Sequence, residues 1–112
     1  MEDEKISTGN VAYDRVIIKS IIKLATKEIG GILDLNGSIF KSKMNKGIKV
    51  KNDFDGFVID VYINIFSDSS VADISWRVQE NIRDTIQSML DIKVKAVNVH
   101  VINVDFSRQE MI

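Results

Sequence analysis

Residues 47–66 read GIKVKNDFDGFVIDVYINIF, and this stretch decides the fold. Apolar and basic side chains alternate before the turn NDFDG, whose Asp, Asn and Gly residues suit a tight reversal of the chain. After the turn every second residue is apolar, and these residues share one side of a strand: Phe57, Ile59, Val61, Ile63 and Ile65. The pattern therefore predicts a β-hairpin with one apolar face that needs a covering layer.

Two amphipathic helices are predicted, one on each side of this hairpin in the sequence. The first follows an N-cap at Asp14, runs to about Ile29 and stops at Gly30-Gly31. The second begins at Ser70, which pairs with Asp73 in a capping box, and runs to about Leu90. At about 100° per residue, their apolar arcs contain Ile17, Ile18, Ile21, Ile22, Leu24, Ala25 and Ile29 in the first helix, and Val71, Ile74, Val78, Ile82, Ile86 and Met89 in the second.

A third long strand, from about Val94 to Phe106, completes the predicted fold. The fold class is α+β, a single domain of three main strands with both helices on one face of the sheet, in the order α-β-β-α-β. GNVAY at residues 9–13 and ILDL at residues 32–35 are expected as short extra edge strands, and residues 36–47 as a loop. Residues 1–8 are expected to form a flexible N-terminal arm, and residues 9–112 the domain.

His100, the only histidine, is the first candidate for chemistry. Alternation along the last strand places Val97, Val99 and Val101 on the core side, and Asn98 with His100 on the other. A catalytic or metal-binding histidine needs an orienting carboxylate and either a nucleophile or further ligands. The residues expected beside it across the sheet form only a polar sheet face: Asp60, Tyr62 and Asn64. The sequence therefore favours a structural role for His100.

Other motifs for catalysis or ligand binding are absent from the sequence, or their residues are better explained as parts of turns. Asp53 and Asp55 lie in a hairpin turn and lack the remaining ligands of a calcium loop. There is no cysteine, no glycine-rich phosphate loop and no G-x-x-G clamp of the KH type. The sequence thus predicts no catalytic residue, no metal ligand and no cofactor, and we expect the chain not to be an enzyme.

Charge and one aromatic side chain indicate candidate contact residues. Residues 15–51 carry nine basic and two acidic side chains, whereas residues 52–112 carry five and ten, so the chain can meet an acidic partner or a second copy head to tail. Arg15, Lys19, Lys23 and Lys27 follow one another along the first helix as a basic stripe. Trp76 is expected about 140° from the centre of the core stripe of the second helix, exposed as an anchor. The alternative for Trp76 is packing over the sheet edge or residues 36–46.

Three segments, taken in order, resemble the alkaline shock protein family of Gram-positive bacteria. They are GNVAYDRVIIKSIIKLATKEIGGILDL, then GIKVKNDFDGFVIDVYINIF, then SWRVQENIRDTIQSMLDIKVKAVNVHVINVDF with its VNVHV strand. The likeness spans about residues 9–106. It implies a small cytoplasmic domain without known enzymatic activity that associates with itself, and in some members lies beneath the cell membrane through a membrane-anchored partner.

The expected function is therefore that of an interaction or scaffold protein of the cell-envelope stress response, acting by protein–protein contact and self-association. Two alternatives remain open: a small RNA-binding module that uses the basic stripe, and a regulatory adaptor of a metabolic enzyme. The N-terminus lacks the pattern of a signal peptide, and no apolar run reaches the ~20 residues of a membrane span. We expect a cytoplasmic location, at the inner face of the membrane where a partner provides the anchor.

Overall fold

The structure is a computed structural model that describes residues 5–8, 11–32, 47–66 and 70–105. Its elements are β1 (Lys5–Thr8), β2 (Val11–Asp14), α1 (Arg15–Lys27), β3 (Ile48–Asp53), β4 (Gly56–Phe66), α2 (Val71–Leu90) and β5 (Val94–Asp105). The α+β class and the order α-β-β-α-β for the main elements are confirmed.

The main sheet has the strand order β3-β4-β5. Strands β3 and β4 form the predicted antiparallel hairpin, with Val50 opposite Ile59, whereas β5 returns parallel to β4 after the crossover through α2. The apolar face of β4 is buried over its length: Phe57, Ile59, Val61, Ile63 and Ile65 are all in the core. The register shifts twice along the β4–β5 pair, after Phe57 and after Ile63.

The two helices lie side by side and antiparallel on this apolar face. Near the start of α1, the Tyr13 hydroxyl donates to the backbone carbonyl of Leu90, the last residue of α2, at 3.3 Å. Near the end of α1, the side-chain amide of Asn81 donates to the carbonyl of Ala25 at 2.7 Å and to Glu28 at 3.0 Å. The start of α1 thus lies beside the end of α2, and the end of α1 beside the middle of α2, so the two helices run antiparallel.

Side chains from the helical layer also bind the two edge strands of the sheet. The guanidinium of Arg15, on α1, donates to the carbonyl of Val50 in β3 at 2.6 Å. The side-chain amide of Gln79, on α2, donates to the carbonyl of Val97 in β5 at 3.1 Å. Each edge strand thus has one backbone acceptor occupied by a helix residue.

The observed ends of α2 agree with those predicted from the sequence, whereas the observed ends of α1 do not. The Ser70 hydroxyl accepts the backbone N–H of Asp73 at 3.2 Å, so the predicted N-cap is present, and α2 ends at Leu90 as predicted. Asp91 closes it in the left-handed conformation, φ 56°, with its N–H on the carbonyl of Gln87. Asp14 precedes α1 without a side-chain cap, and that helix ends at Lys27, before the predicted Ile29.

The N-terminal segment differs from the expectation. Strands β1 and β2 pair with each other as a separate two-stranded sheet, with Thr8 opposite Val11, so β2 is not an edge of the main sheet. The stretch expected as a flexible arm thus contains a strand. Ile32, in the predicted strand ILDL, makes one isolated bridge to Ile65, whereas residues 33–46 lie outside the described ranges.

Two parts of the predicted core are wrong. Ile17 and Leu24 of α1 are exposed, because the sheet and α2 together cover only the arc around Ile18, Ile22 and Ala25. Met89 of α2 is 62% exposed, since the core passes to Leu90 and Ile92 where the chain turns into β5.

Candidate interaction surface

His100 belongs to a polar cluster on the sheet face opposite the helices. The register places Asp60 beside Asn98 and Tyr62 beside His100. The Nε2 atom of His100 lies 2.9 Å from Oδ1 of Asp60, and the same oxygen accepts the Asn98 amide at 3.1 Å. Since an ionised carboxylate only accepts, the ring nitrogen of His100 is the donor. The expected grouping with His100 is confirmed for Asp60 and Tyr62, whereas Asn64 is buried and lies opposite Asn103, beyond the second register shift.

Aromatic stacking completes this cluster. The rings of Tyr62 and His100 stack with centroids 4.4 Å apart and an interplanar angle of 12°, and the ammonium of Lys49 lies 5.8 Å from the centre of the Tyr62 ring. Asp60 and Tyr62 are half-buried, so the contacts hold His100 against the sheet while its own edge stays in solvent. The arrangement links β3, β4 and β5 by side chains.

The Asp60 carboxyl has a pKa below its ordinary value of 3.8. The main cause is the hydrogen bond from His100, and the bond from Asn98 adds to it, while partial burial opposes both. A lowered pKa in the folded chain means that the folded state binds this proton less readily than the unfolded state does.

The contribution of Asp60 to stability should therefore be present above pH 3.8 and disappear as the pH falls through its lower folded pKa. We expect the difference in unfolding free energy between the natural chain and Asp60→Asn to shrink over that acidic interval. Urea unfolding at a series of pH values measures it. His100→Gln removes the main cause, so it should reduce the same acid dependence and leave stability near neutral pH within about 1 kcal/mol. An unchanged acid dependence in His100→Gln would contradict the assignment.

The four members of the basic stripe do not share one environment. Arg15 is half-buried and bound to the carbonyl of Val50, so it serves the sheet edge and is not part of a solvated stripe. Lys19 and Lys23 are half-buried along the flank of α1, and Lys27 is exposed at its end. The environment of Arg15 therefore differs from that of the three lysines.

Trp76 is 59% exposed on α2, in agreement with the helical projection. Asp73 and Glu80, three residues before it and four after it, are its neighbours on the helix surface. Asp73 forms an exposed ion pair with Arg77 at 3.1 Å. The exposure of Trp76 is established, while its role as an anchor stays a prediction.

Sequence reasoning missed the apolar outward side of α1. Val16 is 64% exposed and Leu24 62%, with Ile17 beside them. The sequence contained a signal for this exposed side. The segment VIIKSIIKLA has more apolar residues than one buried arc of a helix can hold, so some of them must face solvent. Phe54, at the tip of the β3–β4 hairpin, is also exposed. In the same turn the ammonium of Lys95 lies 2.7 Å from the carboxylate of Asp53, and this hydrogen bond lowers the pKa of the Asp53 carboxyl.

Within the described ranges, no group of three or more His, Cys, Asp or Glu side chains is placed to hold a metal ion. No helix among the described residues is long and apolar enough to cross a membrane.

Two antiparallel helices over a three-stranded mixed sheet, with exposed apolar side chains on the helical layer, define a small α+β domain. Residues 3–106 match the model of the alkaline shock protein family, described by a cell envelope-related function. The chain belongs to this family, as the resemblance indicated, and its membership places it with proteins of the envelope and of the stress response.

Relatives are found in Bacillus subtilis and Streptococcus pyogenes. The protein YqhY of Bacillus subtilis (strain 168) is 29% identical over 114 residues, which cover 95% of this chain and 84% of that protein. A stress response regulator gls24 homolog of Streptococcus pyogenes serotype M1 is 24% identical over 110 residues, or 90% of this chain and 62% of that protein. Among solved structures, a variant of the MamM CTD superimposes with a TM-score of 0.51 at 9% identity, covering 80% of this chain and 94% of that one, a similarity of fold alone.

Proposed function

We propose that this chain is a non-enzymatic scaffold protein of the cell-envelope stress response that acts through protein–protein contact and self-association. The observation that carries the proposal is the set of large apolar side chains on the outward sides of both helices, namely Val16, Ile17 and Leu24 on α1 and Trp76 on α2. Exposed apolar groups that cluster on one layer mark contact surfaces more often than scattered ones do.

The polar cluster supports a role without catalysis. Oδ1 of Asp60 is shared between His100 and Asn98, and the ring of His100 is stacked on Tyr62. A catalytic histidine needs its second ring nitrogen directed at a nucleophile or a substrate proton, besides the carboxylate that orients the ring. Here both partners of His100 serve contacts between strands.

The family's envelope-related function supports a place at the inner face of the cell membrane, reached through a membrane-anchored partner protein. RNA binding along the basic stripe is weakened as an alternative, because Arg15 is bound to Val50. Regulation of a metabolic enzyme would use the same exposed helices and is a special case of protein contact.

Sedimentation of the purified chain from low micromolar to millimolar concentration tests the proposal. We expect the mass to rise with concentration after nuclease treatment, because apolar contacts need no nucleic acid. A chain that stays monomeric throughout contradicts self-association. Binding to unstructured RNA that weakens steeply as salt is raised would instead support the RNA-binding alternative.

A further inference from the structure

The sheet face opposite the helices presents a stacked aromatic pair with lysines beside it, and we infer that this face binds a single-stranded nucleic acid. One base of the strand stacks on the side of the Tyr62 ring that faces away from His100, and the ammonium groups of Lys49 and Lys51 bind the phosphates next to it. The site lies on the other side of the molecule from the exposed helical residues, so the inference goes beyond the proposed function and does not depend on it.

The strand register brings the side chains of the site together on one face of the sheet. Lys49 on β3 lies opposite Asp60 on β4, and Tyr62 lies opposite His100 on β5. Residues two apart on a strand share a face, so Lys51 is on the same side as Lys49, and Tyr62 on the same side as Asp60. Both lysines are exposed, while α1 and α2 cover the opposite face of the sheet.

The Tyr62 ring has one covered side and one side with room for another planar ring. His100 covers the first side, with the ring centroids 4.4 Å apart and the planes 12° from parallel. On the second side runs β3, where Ile48 pairs with Val61, so Gly47 is the residue that reaches the level of Tyr62. Gly47 has no side chain to cover the ring, and an added Cβ there would meet only the carbonyl oxygen of Tyr62, at 3.8 Å. A base that stacks on this side extends the existing pair of rings by one.

The lysines of β3 supply the contacts for phosphate. The ammonium of Lys49 lies 5.8 Å from the centre of the Tyr62 ring, on an exposed side chain. An exposed cation–π contact is weak, so an arriving base replaces the ammonium over the ring, and the ammonium then binds the phosphate of that nucleotide. Lys51 lies two residues further along the strand, roughly 7 Å away, and binds a neighbouring phosphate.

The carboxylates on this face are bonded to other side chains or lie apart from the lysines. Asp60 accepts a hydrogen bond from His100 at 2.9 Å, and its side chain is only 18% exposed. Asp53 is paired with Lys95 at 2.7 Å, and Asp105 lies at the far end of β5, level with Phe66. The net positive charge of the face is small, so base stacking supplies most of the affinity and the salt dependence should be that of only one or two phosphates.

The flat shape of the site favours a strand over a free nucleotide. Sites for small molecules are concave and bury most of the ligand surface, whereas Tyr62 and the lysines stand on an open sheet. A single strand compensates for this by binding several phosphates and by offering unpaired bases for stacking on aromatic side chains. A nucleic acid strand is therefore the occupant that fits the chemistry of the face.

Fluorescence anisotropy with a labelled oligoadenylate of about ten nucleotides tests the site. Tyr62→Ala should weaken binding at least about tenfold, because it removes the ring on which the base stacks, whereas Tyr62→Phe keeps the ring and should stay within about twofold of the natural chain. Lys49→Glu with Lys51→Glu should also weaken binding at least about tenfold. Adenosine monophosphate should bind at least about tenfold more weakly than the strand, and equal affinity of the two would contradict a site for a strand.

A matched pair of charge reversals on the helical layer separates this face from the basic stripe. Lys19→Glu with Lys23→Glu changes the charge of the chain as much as the reversal at Lys49 and Lys51 does, but on the opposite side of the molecule. It should leave the affinity for the oligonucleotide within about twofold. If it weakens binding as much as the reversal on the sheet face, the basic stripe is the binding surface and the inference is overturned.

Nuclear magnetic resonance of the natural chain gives a readout that does not depend on how well a variant folds. The ring signals of Tyr62, assigned by their loss in Tyr62→Phe, should shift upfield when the oligonucleotide is added, because a stacked base places its ring current over them. The indole signal of Trp76, the only tryptophan, should stay in place because Trp76 lies on α2. Absence of binding at millimolar oligonucleotide, or binding that leaves the Tyr62 signals unmoved, overturns the inference. Sedimentation without nucleic acid tests the proposed function separately, so either one can fail alone.

Discussion

Ile82→Ala is expected to lower the free energy of unfolding by about 2–5 kcal/mol. Ile82 is fully buried in the middle of α2 and belongs to the core cluster that joins both helices to the sheet. Removal of its outer methyl and methylene groups leaves a cavity among side chains that are held by the sheet on one side and by α2 on the other. Urea unfolding monitored by far-ultraviolet circular dichroism measures the loss.

Met89→Ala is the matched control for this prediction. The helical projection puts Met89 in the same apolar arc as Ile82, yet Met89 is largely exposed at the end of α2. Truncation there should change stability by no more than about 0.5 kcal/mol. Equal losses in the two variants would show that Met89 is buried and that the core continues to the end of the helix.

Gly56→Ala should cost about 1–3 kcal/mol from backbone strain, with a further loss from steric contact. Gly56 has φ 136°, a conformation that residues with a Cβ rarely adopt, and an added Cβ would lie 2.9 Å from the carbonyl oxygen of Lys93. That carbonyl accepts the N–H of Phe57 at 2.9 Å, so neither backbone segment can withdraw without breaking the start of the β4–β5 pairing.

Gly30→Ala provides the comparison at the end of α1. A Cβ at Gly30 meets no atom within 4 Å. The change should stay within about 1 kcal/mol of the natural chain in either direction. Thermal unfolding of both variants measures the difference, and a neutral Gly56→Ala would contradict the close approach of the hairpin turn to Lys93.

The parts of the fold that the sequence predicts well are those encoded by local pattern. The β3–β4 hairpin follows from alternation and a turn, and the start of α2 follows from the hydroxyl of Ser70 and the carboxylate of Asp73. The β1–β2 pair was missed although Gly9-Asn10 separates two short segments, a pattern typical of hairpins. Its strands have only four residues each, so periodicity gives little indication of them.

The candidate surface was only partly predictable because exposure depends on neighbours. An apolar arc indicates which side of a helix avoids water, but the width that is buried depends on how many elements pack against it. On α1 that width is narrower than the apolar arc, so Leu24 faces solvent. The contact of Arg15 with Val50 depends on the distance between a helix and a sheet edge, which spacing along the chain does not encode.

The hydrogen bonds from Arg15 and Gln79 to the edge strands affect how the sheet behaves when many copies of the protein are crowded together. In a crowded solution, copies of a protein bring their sheets into repeated proximity, and open strand edges are the sites where sheets join into fibrils. The carbonyls of Val50 and Val97 are already bonded to side chains of the chain's own helices. At these two carbonyls, a foreign strand would have to displace the guanidinium of Arg15 or the side-chain amide of Gln79. Strand addition at either edge therefore costs a bond that the chain already makes, which disfavours sheet growth between crowded copies.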